Sequence, residues 1–120
     1  MTGIIIVSHS VDIARGIPQL LAQVAPDVPI TFAGGVEDGI GTNFEAILAA
    51  IEANEATELL AFYDLGSAKM NLDMANEMTS KSVTIVDAPI VEGSYGAATL
   101  LQVDTSIEDV LAELKPITFK

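Results

Sequence analysis

Gly3-Ile4-Ile5-Ile6-Val7-Ser8-His9-Ser10 is a run of β-branched residues that ends abruptly in a polar triplet. A short, wholly apolar run bounded in this way reads as a strand buried on both faces. Such strands belong to parallel sheets covered by helices on each side, which keep their chemistry at the strands' carboxyl ends. The triplet lies at that end and holds the only histidine of the chain.

Working outward, Ser10 can cap a helix to about Val24, with Val11, Ala14, Ile17, Leu20, Leu21 and Val24 on one apolar face. Pro18 falls inside this pattern and removes one backbone donor, so a kink is expected there. Val28 to Phe32 read as a second strand. A glycine-rich loop follows, with glycines at 34, 35, 39 and 41. Thr42 and Glu45 have capping-box spacing before a helix over about 43–53. Glu58 to Tyr63 make a third strand that ends in Asp64-Leu65-Gly66-Ser67, and Ser67 can cap a helix over about 68–78. Met70, Met74 and Met78 form a stripe on it, expected in the core or at a subunit contact. Val83 to Val86 give a fourth strand and Ile90 to Gln102 a fourth helix. Thr105 and Glu108 form a second capping box for a last helix, which runs from Ser106 to about Leu114 and is stopped by Pro116. Ile117-Thr118-Phe119 can add a short edge strand.

Alternating strands and helices predict an α/β fold with a doubly wound, mainly parallel sheet and helices on both faces. Right-handed crossovers reduce the topologies to a strand order of 2-1-3-4. The chain reverses between strands 1 and 3, which gathers His9, Asp64 and the glycine loop around one crevice. With 120 residues, the chain is expected to be one domain.

Half of the residues are hydrophobic but only 5% are aromatic, so the core must be aliphatic. There are no cysteines, which agrees with a reducing cytoplasm and excludes thiolate chemistry. No signal peptide is legible, and no apolar run nears the ~20 residues that cross a bilayer. A net charge of −12 argues against nucleic acid and anionic membranes. It would steer in a partner with a basic docking face, and solubility alone is an equal reading of it. One histidine and no cysteine leave a zinc site short of ligands, and no dinucleotide or P-loop motif calls for a cofactor.

The crevice suits a histidine that carries a phosphoryl group. One ring nitrogen must attack while the other keeps a proton. A carboxylate accepting from the second nitrogen would select that tautomer and stabilise the charged ring, and Asp64 is the candidate. The phosphoryl oxygens need donors. Amides at the start of the first helix and in the loop around Gly39 and Gly41 can supply them, as can the hydroxyls of Ser8, Ser10, Thr42 and Ser67. Plainer readings stay open: a hydrogen-bonded surface histidine, an aspartate that caps a helix, and glycines that only turn the chain. A rival of another class is a non-enzymatic module that uses the same crevice for a small anion or a partner loop.

Val7-Ser8-His9-Ser10, Gly34-Gly35-Val36-Glu37-Asp38-Gly39-Ile40-Gly41-Thr42 and Tyr63-Asp64-Leu65-Gly66-Ser67-Ala68 together resemble the mannose-type IIA domains of the bacterial phosphoenolpyruvate:sugar phosphotransferase system. Within that family they are most similar to its DhaM branch, the phosphotransfer subunits of phosphoenolpyruvate-dependent dihydroxyacetone kinases. The resemblance covers essentially all of residues 1–120. It implies that His9 is phosphorylated and oriented by Asp64, with Gly39, Gly41 and Thr42 in support. It further implies a cytoplasmic homodimer that takes the phosphoryl group from the carrier protein HPr. The group then passes to ADP on a DhaL subunit, which serves dihydroxyacetone on DhaK. Transport relatives, the rival branch, tend to read Gly-Gly-Ser-Pro after the aspartate and are often joined to a IIB domain. Here the chain reads Gly66-Ser67-Ala68, and no HPr-like domain is fused to it, so a separate donor is expected.

Overall fold

The computed structural model describes residues 1–37 and 39–119. Strand β1 (Thr2–Ser8) is buried from Gly3 onward, and its side chains alternate between two cores. Ile4 and Ile6 face one core, and Ile5 and Val7 the other. Each fully buried isoleucine contributes roughly 1.5–3 kcal/mol. Helices must cover both faces, and they do. The chain continues through α1 (Val11–Ala22), β2 (Ile30–Gly34), α2 (Phe44–Ala53), β3 (Glu58–Tyr63), α3 (Gly66–Met78), β4 (Ser82–Val86), α4 (Ile90–Gln102) and α5 (Ile107–Leu114). Ile17 and Leu21 of α1, Ala97, Ala98 and Leu101 of α4, and Val110 and Leu114 of α5 pack on the Ile4 and Ile6 side. Ile47 and Ile51 of α2 with Leu72 and Ala75 of α3 pack on the other.

The sheet is wholly parallel, in the order β2-β1-β3-β4 expected from the sequence. Register places Ser8 opposite Gly34 and Val7 opposite Tyr63, so β2, β1 and β3 end at one level.

Several boundaries differ from expectation. Strand β2 starts at Ile30, two residues late, because the Val28 amide closes a turn onto Ala25 and Pro29 has no N–H for a ladder. It then runs on to Gly34. Helix α1 ends at Ala22 and runs unbroken through Pro18. The cap of α2 is Asn43, not Thr42, with Oδ1 accepting from the Ala46 amide at 3.0 Å. That of α5 is Ser106, not Thr105. Helix α3 starts at Gly66, so Ser67 lies inside it and caps nothing. Met70, Met74 and Met78 are 70%, 47% and 63% exposed, which removes them from the core of this chain. The tail is no edge strand: Lys115–Ile117 form a 3₁₀ turn, and the Phe119 amide bonds the Asp87 carbonyl at 2.8 Å.

Candidate active site

β1 delivers His9 and β3 delivers Asp64. The two strands pair up to Val7 and Tyr63, and the Asp64 amide extends the ladder by one bond to the Val7 carbonyl, at 3.2 Å. Parallel pairing therefore sets His9 and Asp64 side by side at the reversal point of the sheet.

Four donors converge on the Asp64 carboxylate. Oδ1 accepts from His9 Nδ1 at 2.9 Å and from the Leu65 amide at 2.7 Å. Oδ2 accepts from Ser8 Oγ at 2.7 Å and from the His9 amide at 2.9 Å. Burial alone would raise the Asp64 pKa, but the bonds from the His9 ring, the His9 amide, Ser8 and Leu65 outweigh it, and the pKa is lowered. Asp64 is therefore ionised at neutral pH and can only accept. That assigns the proton of a neutral His9 ring to Nδ1 and leaves the Nε2 lone pair free for other use. Ser67 Oγ lies 2.6 Å from Nε2 and, with the ring in that tautomer, donates to it. The side chains of His9 and Asp64 are 14% and 16% exposed, so the ring is held from one side and reachable from the other.

The remaining predicted residues fall into distinct places. Ser8 is fully buried and works inward: it donates to Asp64 and accepts from the Ser10 amide at 3.0 Å. Ser10 caps α1 by accepting from the Ile13 amide at 3.3 Å, which leaves its hydroxyl proton available. The Gly39 amide bonds the Val36 carbonyl and the Gly41 amide bonds the His9 carbonyl, at 3.0 and 2.8 Å, so both are engaged within the loop. Their φ angles of +138° and +152° need glycine. Asp38 of that loop lies outside the described residues. Thr42 Oγ accepts from Asn71 of α3 at 2.7 Å, which ties the loop to the helix that carries Ser67. Among the described residues, no group of three or more His, Cys, Asp or Glu could hold a metal.

One contributor, Gly34, and the inward role of another, Ser8, escape the sequence reading. Gly34 lies under the His9 loop, where a Cβ would sit 2.6 Å from the Ala14 Cβ and 2.7 Å from the Ser8 carbonyl. It was legible only as one glycine among several. The inward role of Ser8 had a signal, because it continues the Ile4 and Ile6 alternation onto a buried face.

Comparison with known proteins shows which family the chain resembles throughout its length. Residues 3–111 match the EIIA-man family, described as the PTS system fructose IIA component. The chain is 48% identical over 119 residues to the phosphoryl donor subunit DhaM of PEP-dependent dihydroxyacetone kinase 1 from Listeria innocua, covering 98% of this chain and 96% of that one. It is also 48% identical over 114 residues to the phosphotransferase subunit DhaM of the PTS-dependent dihydroxyacetone kinase of Lactococcus lactis, covering 94% and 93%. The crystal structure of a protein of unknown function, EF1359, superposes with a TM-score of 0.84 at 31% identity over 99% of this chain and 96% of that one.

Proposed function

Since the chain belongs to the EIIA-man family, we propose that it is the phosphoryl-donor subunit of a phosphoenolpyruvate-dependent dihydroxyacetone kinase. Its task is to carry a phosphoryl group on His9. The observation that carries this reading is the opposed anchoring of one imidazole, with Asp64 on Nδ1 and Ser67 on Nε2.

The chemistry follows from that arrangement. The donor is a phosphohistidine of HPr. Nε2 attacks its phosphorus, and the phosphorus–nitrogen bond on HPr breaks as the new one forms. His9 keeps its Nδ1 proton and becomes cationic, and Asp64 stabilises that charge across 2.9 Å. Ser67 first has to release the lone pair; its hydroxyl can then donate to a phosphoryl oxygen. The Ser10 hydroxyl, on the first turn of α1, is a second donor. In the discharge step an oxygen of ADP on DhaL attacks phosphorus, and the bond electrons return to Nε2. The ATP so formed serves dihydroxyacetone on DhaK.

Residues 1–120 act as one IIA unit, in the cytoplasm and as a homodimer. The absence of cysteine supports the compartment, and the exposed Met70, Met74 and Met78 offer surface for a partner. The test is intact mass after incubation with phosphoenolpyruvate, enzyme I and HPr, then with DhaL–ADP. One acid-labile phosphoryl group should appear and then leave. Discharge only to a IIB protein would move the chain to sugar transport. No uptake would refute the relay and favour a binding module.

A further inference from the structure

Helix α3 opens without a capping side chain and without an acidic residue in its first turn, yet it must hold the Ser67 hydroxyl 2.6 Å from His9 Nε2. One anchor is visible at Asp64, which accepts from the Leu65 amide. A second lies two residues beyond Ser67. The Lys69 ammonium is 2.9 Å from Asp87 Oδ1, and the Tyr63 hydroxyl donates to the same oxygen. The ammonium also stands 5.9 Å from the centroid of the Tyr63 ring. Tyr63 closes β3, Lys69 is on α3 and Asp87 follows β4, so three elements meet on one carboxylate oxygen. The tail joins them where the Phe119 amide bonds the Asp87 carbonyl. Lys69 and Asp87 are 26% and 18% exposed, so the pair is partly shielded from water and stronger than a surface pair.

We propose that Tyr63, Lys69 and Asp87 are positioning residues, which lock the first turn of α3 so that Ser67 meets His9 Nε2. The proposal rests on the phosphorelay reading for its consequence and on geometry alone for its structural part. None of the three touches the reacting atoms. Their effect passes through the Ser67 hydroxyl, and that sets the test.

Single-turnover transfer from phosphorylated HPr is measured for Lys69→Met in the natural and the Ser67→Ala backgrounds. The saturating rate should fall about five- to tenfold in the natural background, as expected for a slightly misplaced group. Half-saturation in HPr should be unchanged, and Lys69→Arg should recover most of the rate. In the Ser67→Ala background Lys69→Met should do nothing further. Equal losses in both backgrounds overturn the proposal. The ¹⁵N resonance of Nε2 in the unphosphorylated chain gives a readout that needs no partner. In Lys69→Met it should move toward its position in Ser67→Ala, and an unmoved resonance also overturns the proposal. A moved resonance in a chain that HPr cannot phosphorylate upholds the positioning and refutes the relay. Tyr63→Phe, which removes only a hydroxyl, should move the resonance the same way and serves if Lys69→Met does not fold.

Discussion

Asp64→Asn exchanges one carboxylate oxygen for an NH2 group and breaks the logic of the site. The carboxylate accepts four hydrogen bonds, two on each oxygen. An amide accepts on one side only. If its nitrogen replaces Oδ2, it faces the donors on Ser8 and the His9 amide. If it replaces Oδ1, it faces the Leu65 amide and reverses the tautomer of the ring, so that Nδ1 accepts and the proton moves to Nε2. The nucleophilic lone pair is then gone. A charge-assisted hydrogen bond is worth about 1.5–3 kcal/mol, which corresponds to roughly ten- to 150-fold in rate. Loss of the tautomer adds to this. Phosphorylation by HPr should slow on the order of 100-fold or more, measured by rapid quench under single-turnover conditions. A rate within about twofold of the natural chain would refute the role given to Asp64. Stability carries the same signature. The folded pKa of Asp64 is lowered, so its contribution is complete above the ordinary carboxylate value of ~4 and is lost as pH falls through the folded value. Asp64→Asn should therefore flatten the acid limb of a melting-temperature profile, and an unchanged limb would count against the four-bond account.

Ser67→Ala should leave His9 phosphorylatable but slow both uptake and discharge about tenfold, because one donor to the phosphoryl oxygens is lost; an unchanged single-turnover rate would remove Ser67 from the relay. Asn43→Ala and Ser106→Ala should each cost about 1 kcal/mol in urea unfolding, and Thr42→Ala and Thr105→Ala clearly less as caps, in line with the bonds at Asn43 and Ser106. Gly34→Ala should destabilise by about 1–3 kcal/mol and slow phosphorylation, since its Cβ would press on the Ser8 and Ser10 carbonyls on either side of His9. A Gly34→Ala chain with natural stability and rate would show that the His9 loop has slack.

Much of this architecture is legible in residues whose role is set by burial. Ile4 to Val7 are apolar on both faces, and only a strand covered twice can hide them. The element order followed, and with it the meeting of His9 and Asp64 at the reversal of the sheet. Local chemistry was harder to read where neighbours compete. Thr42 and Asn43 can both cap α2, and Thr42 instead serves Asn71, a partner brought in by folding. Ser67 has the composition of a cap, but tertiary contact with His9 claims its hydroxyl. The methionine stripe has helical spacing, yet Leu72 and Ala75 supply the buried face of α3, and spacing alone does not say which stripe faces inward. The tail turns away from the sheet edge because Pro116 enters a 3₁₀ turn and Phe119 bonds the loop after β4. The Tyr63, Lys69 and Asp87 cluster joins three elements and leaves no pattern along the chain.

The central claim is that Asp64 holds Nδ1 so that Nε2 carries the phosphoryl group. Nuclear magnetic resonance of the phosphorylated chain, with ¹⁵N in the imidazole, tests it most directly. Coupling is expected between phosphorus and Nε2, with Nδ1 still protonated and bonded. Coupling to Nδ1 would contradict it, because that nitrogen would then have lost Asp64 and the site would work by a different geometry.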